Sequence, residues 1–157
     1  MLQQATARPV YLTAQGLAHL EAELFDLITV RRPQLAALVG AAAEEGNLAE
    51  NSAYQQAKDE QALLEGRIAL LRDCLTHAVL IEQRASNVVA LGCTVTIEDG
   101  GEEDTYTIVG PLEAAPSQGR ISHESPVGRA LLGHAAGDEV WVEVPAGARA
   151  VTIRAVA

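Results

Sequence analysis

The feature that most constrains the fold is a change in hydrophobic period halfway along the chain of 157 residues. In the first half, apolar residues recur at spacings of three and four, which is typical of amphipathic helices. In the second half they alternate with polar residues, which is typical of strands with one buried face. We therefore predict an α+β fold with two domains, a helical one at residues 1–81 and a sheet-based one at residues 84–157.

Two long helical runs are predicted in the first half, joined by a connection of only a few residues. The first run begins at Thr13 as N-cap and continues to Glu45. Pro33 should kink or break this run, because proline has no N–H to donate. The second run extends from about Asn51 to about His77. Short connections place helices antiparallel, so we predict a helical hairpin of the coiled-coil type, roughly 45 Å long at ~1.5 Å per residue. Such hairpins also serve as dimerisation or spacer elements, and that interpretation stays open.

The second half is predicted to form an antiparallel sheet with one short helix. Strand-like alternation occurs in residues 91–97, 105–109, 140–144 and 151–153. Residues 99–101 form a turn between the first two strands. Ser125 followed by Pro126 predicts a helix start, and Gly133 a helix end. Trp141 is out of phase with the neighbouring valines, which places it on the outer face of the sheet.

Composition argues against several classes of function. With 21 acidic and 11 basic side chains and a formal charge of −10, autonomous nucleic-acid binding is not expected. No apolar run approaches the ~20 residues of a membrane span, and the first residues lack the apolar stretch of a signal peptide. We therefore expect a cytoplasmic protein without a membrane partner. Cys74 and Cys93 are predicted to be reduced core thiols.

The connection between the two helical runs carries the most informative side chains. Glu44, Glu45 and Glu50 crowd an exposed turn, and like charges in one place cost free energy unless a cation meets them. One interpretation is that the hairpin delivers carboxylates as metal ligands to the active site of another molecule. The other is structural: Asn47 with Glu50 three residues later resembles a capping box. Composition alone favours the structural interpretation.

Several segments, in their order and spacing, resemble the Gre family of bacterial transcript-cleavage elongation factors and its GreA-like branch over nearly the whole chain. In the hairpin they are Arg31-Arg32-Pro33, Gly46-Asn47-Leu48-Ala49-Glu50-Asn51 with Tyr54, and Glu65-Gly66-Arg67-Ile68. In the second half they are residues 92–95, 106–110 and 125–133.

The resemblance implies a coiled-coil hairpin and an FKBP-like C-terminal domain. It implies docking at the secondary channel of RNA polymerase, with Glu124, Ser125 and Pro126 against a coiled coil of the largest subunit. The hairpin tip would then reach the polymerase active site. There Glu50 would hold the second, weakly bound Mg²⁺ and stimulate cleavage of the extruded RNA 3′ end. The factor would act as a monomer, bind no cofactor alone, and complete a site that belongs to the polymerase rather than be an enzyme itself.

This chain departs from the family pattern in two ways. The family has Asp at the position of Asn47, and an amide is a weaker ligand for Mg²⁺ than a carboxylate. We therefore expect reduced or lost cleavage stimulation, with Glu44 and Glu45 as the residues that would compensate. Basic residues that hold RNA near the tip are also few. Lys58 and Arg67 are the candidates, unless they only form i,i+4 pairs on a solvated face.

Three other functions stay open. A Gre-like regulator or inhibitor that occupies the secondary channel without efficient cleavage would fit Asn47. A prolyl isomerase would fit the FKBP-like fold, but Tyr106 and Trp141 alone are few aromatic residues for a proline pocket. A free metal-dependent nuclease would need a buried carboxylate site, which a bare hairpin tip does not provide.

Overall fold

A computed structural model describes residues 8–45, 51–82 and 84–157. These residues form two compact units, one of Leu17–Ala78 and one of Pro9–Gly16 together with Val79–Ala157. The predicted fold class is confirmed, since a helical hairpin and a sheet with a short helix are both present. The predicted domains, 1–81 and 84–157, stay a prediction about which parts fold independently. Every helix in the described residues is too short or too polar to cross a bilayer.

The first arm of the hairpin consists of α1 (Ala14–Asp26), a π-helical turn (Leu27–Arg31) and α2 (Arg32–Glu44). The second arm is a single helix, α3 (Ser52–Thr76). Both predicted helical runs are confirmed. The Thr13 hydroxyl accepts the Gly16 N–H at 3.0 Å, which confirms Thr13 as the N-cap of α1.

The disturbance predicted at Pro33 takes the form of the π-helical turn. The Arg32 N–H donates to the Leu27 carbonyl, five residues earlier, instead of to the usual partner four residues earlier. Proline cannot continue the regular ladder, and the wider turn immediately before it absorbs the mismatch.

The hairpin core is a narrow apolar seam between the two arms. Leu35, Leu64 and Ile68 are buried in it, and Leu24, Leu27 and Ile28 pack against them in part. The spacing of three and four residues in the sequence also predicts Leu38 on this stripe, but Leu38 is 57% exposed, so that prediction was wrong. Leu38 lies three residues after the buried Leu35 and about 60° from it around the axis of α2, which is too far for a side chain to be buried in a narrow seam.

The second unit is built on a five-stranded sheet of order β5-β4-β3-β7-β6. A separate two-stranded sheet pairs β1 with β2. The strands are β1 (Val10–Leu12), β2 (Ala78–Leu80), β3 (Thr94–Asp99), β4 (Glu102–Val109), β5 (Arg120–Ser122), β6 (Glu139–Val144) and β7 (Gly147–Val156), and the short helix is α4 (Pro126–Leu131).

The sheet is mixed, which corrects the prediction of an antiparallel sheet. β5 pairs parallel to β4, while the other pairings are antiparallel. The chain between β4 and β5 passes through two short 3₁₀ turns, Pro111–Glu113 and Pro116–Gln118, and turns back so that β5 runs in the same direction beside the last three residues of β4. β5 has three residues, too few to show the alternation by which strands are predicted.

One apolar cluster fills the space between this sheet and α4. Its buried members are Val89, Val95, Ile97, Ile108, Ile121, Leu131, Val140, Val142, Val151 and Ile153. The predicted inward positions on β3, β6 and β7 are confirmed, and Trp141 is 65% exposed on the opposite face, as predicted. Gly100 and Gly101 have φ angles of 62° and 91°, which confirms the predicted turn. Cys74 and Cys93 are buried free thiols, also as predicted.

Candidate functional site

The end of α2 places two carboxylates at the side of the hairpin tip. Glu44 is the last residue of α2 and Glu45 is its C-cap, and both side chains are exposed. The last turn of α2 contains no basic residue. The C-terminus of a helix carries a partial negative charge, so acidic residues there are unfavourable. Helix stability therefore does not explain these two glutamates, and their predicted role as carboxylates that compensate for Asn47 stays a prediction.

Asn51 joins the two arms at the base of the tip. Its Oδ1 accepts the Tyr54 N–H at 3.1 Å, which caps the N-terminus of α3. Its Nδ2 donates to the carbonyl of Ala42, near the end of α2, at 2.7 Å. The N-cap of α3 is therefore Asn51, since α3 begins at Ser52, and the capping box predicted for Asn47 and Glu50 lies outside the described residues. Asn51 had no predicted site role, although an asparagine directly before a long helical run was a usable signal.

Asn47 and Glu50 lie outside the described residues, within the segment 46–50. Their predicted roles in catalysis and metal binding stay predictions. Within residues 8–45, 51–82 and 84–157, no group of three or more His, Cys, Asp or Glu side chains converges in a way that would hold a metal ion.

A cleft of about 300 Å³ lies between α2 and α3 next to Glu45. It is lined by Leu38, Ala41, Ala42, Glu45, Ala53, Gln56, Ala57 and Glu60. The alanines allow the two arms to approach closely here, and the charged groups on the lining are acidic. This cleft therefore does not provide a surface for phosphate groups.

The two cationic residues predicted to contact RNA differ in their surroundings. Lys58 is exposed and its Nζ donates to the side-chain carbonyl of Gln61 at 3.2 Å. Arg67 forms a two-point ion pair with Glu23 on the other arm, at 2.7 and 2.8 Å. Hydrogen bonding to Glu23 raises the pKa of Arg67, and hydrogen bonding to Arg67 lowers the pKa of Glu23. An RNA contact by Arg67 would have to compete with Glu23, and the roles of both cations stay predictions.

A tight turn before α4 presents the predicted docking segment. Ser125 caps α4 by accepting the Gly128 N–H at 3.1 Å, and Pro126 is the first helical residue, so the predicted helix start is confirmed. The Ser125 hydroxyl donates to the Ser122 carbonyl at 2.6 Å, and the Glu124 N–H donates to the Ser122 hydroxyl at 3.0 Å. These bonds hold the backbone while the Glu124 side chain stays exposed.

Gly128 explains why the turn packs so closely. A Cβ atom at this position would lie 2.1 Å from the Ser122 carbonyl oxygen, a backbone atom that cannot move aside without opening the turn. The segment is thus rigid on both sides of Glu124, as a contact surface of fixed shape requires. Its contact with a polymerase subunit stays a prediction.

Glu113 is a structurally important residue that sequence reasoning missed. Its side chain is 6% exposed and pairs with Arg120 at 2.8 Å. It also accepts the Thr13 N–H at 2.7 Å and the Thr13 hydroxyl at 2.6 Å, so a buried carboxylate anchors the first turn of α1. Thr13 and Glu113 are a hundred residues apart in sequence, and no local pattern signals that they meet.

Two sequence models of one protein family match this chain, one for each half. The model described as "Transcription elongation factor, N-terminal" matches residues 10–80. The model described as "Transcription elongation factor, GreA/GreB, C-term" matches residues 84–157. The chain belongs to the GreA/GreB family of transcription elongation factors.

Similar proteins agree with this assignment along nearly the whole chain. Transcription elongation factor GreA of Chloroflexus aggregans is 49% identical over 152 residues, which cover 94% of this chain and 97% of that protein. GreA of Chloroflexus aurantiacus (strain J-10-fl) is 51% identical with the same coverage. Among solved structures, GreA factor homolog 1 (Gfh1) of Thermus thermophilus is 33% identical, with 96% of this chain and 99% of that chain covered and a TM-score of 0.45. The resemblance inferred from the sequence is confirmed at the level of the family.

Proposed function

We propose that this member of the Gre family binds RNA polymerase at its secondary channel and acts on backtracked or paused elongation complexes. Its role there is to stimulate cleavage of the transcript by the polymerase active site. The factor is an accessory protein rather than an enzyme, it acts as a monomer in the cytoplasm, and Mg²⁺ enters the reaction as an ion of the polymerase.

The observation that carries the proposal is the geometry at the base of the tip. Asn51 fixes the end of α2 to the start of α3 through Ala42 and Tyr54, so the intervening segment leaves from a defined base. Glu44 and Glu45 lie beside that base, at the unfavourable end of the α2 dipole. Carboxylates kept in such a place are suited to meet a cation supplied by another molecule.

In this mechanism the parts of the chain act at different points. The rigid turn with Glu124, Ser125 and Pro126 docks on a coiled coil of the largest polymerase subunit. Glu50 would then hold the second Mg²⁺ of the polymerase, an ion that would supply the activation of water for hydrolysis at the extruded RNA 3′ end. Lys58 provides an exposed cation for the RNA backbone two turns into α3.

Asn47 determines how strongly the chain stimulates cleavage. An amide oxygen is a neutral ligand, so Glu44 or Glu45 has to supply the second carboxylate if stimulation is efficient. A regulator without cleavage activity is the less favoured alternative, because relatives that are 49% and 51% identical are named elongation factors.

The test is RNA cleavage in purified backtracked elongation complexes with Mg²⁺, with nucleotide addition followed in the same samples. We expect the natural chain to release short 3′ fragments, Glu50→Ala to abolish the release, and Asn47→Asp to increase it. Glu44→Gln/Glu45→Gln should lower the rate if these residues compensate for Asn47. Glu21→Gln, at an exposed glutamate on α1, removes one negative charge, as Glu50→Ala does, and should leave the rate unchanged.

Binding of each variant to polymerase distinguishes loss of docking from loss of chemistry. Glu124→Lys should weaken binding, whereas Glu50→Ala should bind normally and fail to cleave. If the natural chain binds but only slows nucleotide addition, and Asn47→Asp restores cleavage, the chain is a channel-occupying regulator. If neither the natural chain nor any variant binds RNA polymerase, the proposal is wrong.

A further inference from the structure

The outer face of the edge strand β6 carries a side-chain arrangement that the proposed function does not use. Trp141 is the only tryptophan of the chain. It is 65% exposed in the middle of β6, while its neighbours Val140 and Val142 are buried in the core. Folding therefore gains little from this aromatic ring, since most of its surface remains in water.

Two glutamates flank the ring on the same face. Glu139 and Glu143 are two residues away on either side, and side chains two apart in a strand point the same way. Both are exposed, and neither takes part in an ion pair among the described residues. An indole ring between two carboxylates is suited to a cationic side chain, which stacks on the ring and pairs with the acids.

The neighbouring strand leaves the ring uncovered. In the pairing of β6 with β7, Trp141 lies opposite Ala150 and Glu143 lies opposite Ala148. Alanine side chains are too short to cover the indole, so one ring face stays open. The site is therefore preformed and needs no rearrangement to accept a ligand.

β6 is also an edge of the sheet. The strand order ends at β6, so its outer row of backbone groups has no strand partner in the part of the chain that the structure describes. Such an edge can accept an extended segment by backbone hydrogen bonding, and its side chains then select the partner. Here the selecting side chains are acidic and aromatic.

We propose that β6 binds an extended, arginine-bearing segment of another protein, with a guanidinium stacked on Trp141 between Glu139 and Glu143. Arginine fits better than lysine, because its planar guanidinium stacks on an aromatic face and pairs with a carboxylate in two-point fashion. Nucleic acid is disfavoured, since the same carboxylates repel phosphate groups. A second copy of this chain is disfavoured by its formal charge of −10. The proposal is independent of the hairpin tip.

Because the chain has a single tryptophan, its intrinsic fluorescence reports directly on this site. The probe is a short acetylated peptide of alternating arginine and threonine, which places its arginines on one face of an extended strand. We expect a saturable change in emission with this peptide and none with the same peptide carrying glutamine in place of arginine. The lysine version should bind about two- to fivefold more weakly.

Variants separate the site from general charge attraction. Glu139→Gln/Glu143→Gln should reduce the affinity about tenfold, and Trp141→Leu, measured by calorimetry, by a similar factor. The control Glu102→Gln/Glu103→Gln makes the same charge change on β4, at the far side of the sheet, and should change the affinity less than about twofold.

Three results would overturn the proposal. One is the absence of any saturable fluorescence change with the arginine peptide. Another is an equal loss of affinity in Glu139→Gln/Glu143→Gln and in the control Glu102→Gln/Glu103→Gln, which would mean that the peptide is held by general electrostatic attraction. The third is tighter binding of a single-stranded RNA oligonucleotide than of the arginine peptide.

Discussion

The hairpin and the sheet unit are stabilised by different means. In the sheet unit, ten buried apolar residues form one cluster between the sheet and α4. In the hairpin, the buried cluster has three members, and the arms are also joined by two Arg–Glu pairs, Arg32–Glu65 and Glu23–Arg67. These pairs lie on the partly exposed surface, where ion pairs contribute little and are screened by salt.

This difference indicates how the chain divides its tasks. A thick core supports a closely packed surface turn such as the one before α4. A thin seam leaves most hairpin side chains exposed, so charges near the tip are placed with little constraint from packing. We therefore expect the hairpin to be less stable than the sheet unit and to unfold first when the temperature, the acidity or the salt concentration is raised.

The largest effects should come from truncating one isoleucine in each unit. Ile153 is 0% exposed in the sheet core and Ile68 is 1% exposed in the hairpin seam. We expect Ile153→Ala to cost about 4 kcal/mol and Ile68→Ala about 2–3 kcal/mol, because a cavity beside a thin seam can partly collapse. Urea unfolding measures this, with Trp141 fluorescence for the sheet unit and helical circular dichroism for the hairpin.

The same two signals test whether the units are independent. Ile68→Ala should move the circular dichroism transition and leave the fluorescence transition in place. If both signals move together in both variants, the molecule unfolds as one cooperative body and the predicted domains at residues 1–81 and 84–157 do not fold separately.

A pair of helical glycines should respond with opposite signs. Gly128→Ala brings a Cβ within 2.1 Å of the Ser122 carbonyl oxygen, so we expect a loss of about 2–3 kcal/mol and weaker polymerase binding. Gly66→Ala in the middle of α3 meets nothing within 4 Å and should stabilise the hairpin by about 0.5–1 kcal/mol. Thermal unfolding of both variants decides this, and a stabilising Gly128→Ala would show that the turn is not closely packed.

Asn51 should contribute less to stability than to activity. Asn51→Ala removes the cap of α3 and the bond to Ala42, and we expect a loss of about 1–2 kcal/mol of hairpin stability. Asn51→Asp keeps an acceptor for the Tyr54 N–H but has no donor for the Ala42 carbonyl. If the link between the arms positions the tip, Asn51→Asp will keep most of the stability and lose transcript cleavage. Equal activity of Asn51→Asp and the natural chain would contradict a positioning role.

The smallest effect should be a dependence of hairpin stability on acid pH. Hydrogen bonding to Arg67 lowers the pKa of Glu23 in the folded chain. A lowered pKa means that the charged glutamate stabilises the fold above its unfolded pKa of about 4.3, and that this contribution is lost as the pH falls through the folded value. Glu23→Gln should therefore destabilise the hairpin at pH 7, and its difference from the natural chain should shrink as the pH is lowered, as measured by thermal melting. The control Glu21→Gln should behave like the natural chain throughout this pH series.

Sequence periodicity predicted the helices and the long strands well, because each is specified by the local spacing of its apolar side chains: three and four residues in the helices, two in the strands. Thr13, Ser125 and the Gly100–Gly101 turn were predictable for the same reason. The parallel strand β5 and the buried Glu113 were not, since β5 is too short to show a pattern and Glu113 meets Thr13 only after folding. The tip shows both cases: the site of Glu44 and Glu45 follows from local sequence, whereas the bond from Asn51 to Ala42 depends on how the arms meet.

The π-helical turn at Leu27–Arg31 sets the rotational phase of the hairpin tip. Leu27 and Leu35 both face α3, yet eight residues of regular α-helix would leave them about 80° apart around the helix axis. The wider turn absorbs one extra residue and brings the two halves of the arm into register. Deleting one residue from Leu27–Arg31 would therefore give a regular α-helix and leave Glu44 and Glu45 in their present direction relative to Leu24. A regular α-helix of unchanged length would instead turn both carboxylates by about 100° about the axis of α2.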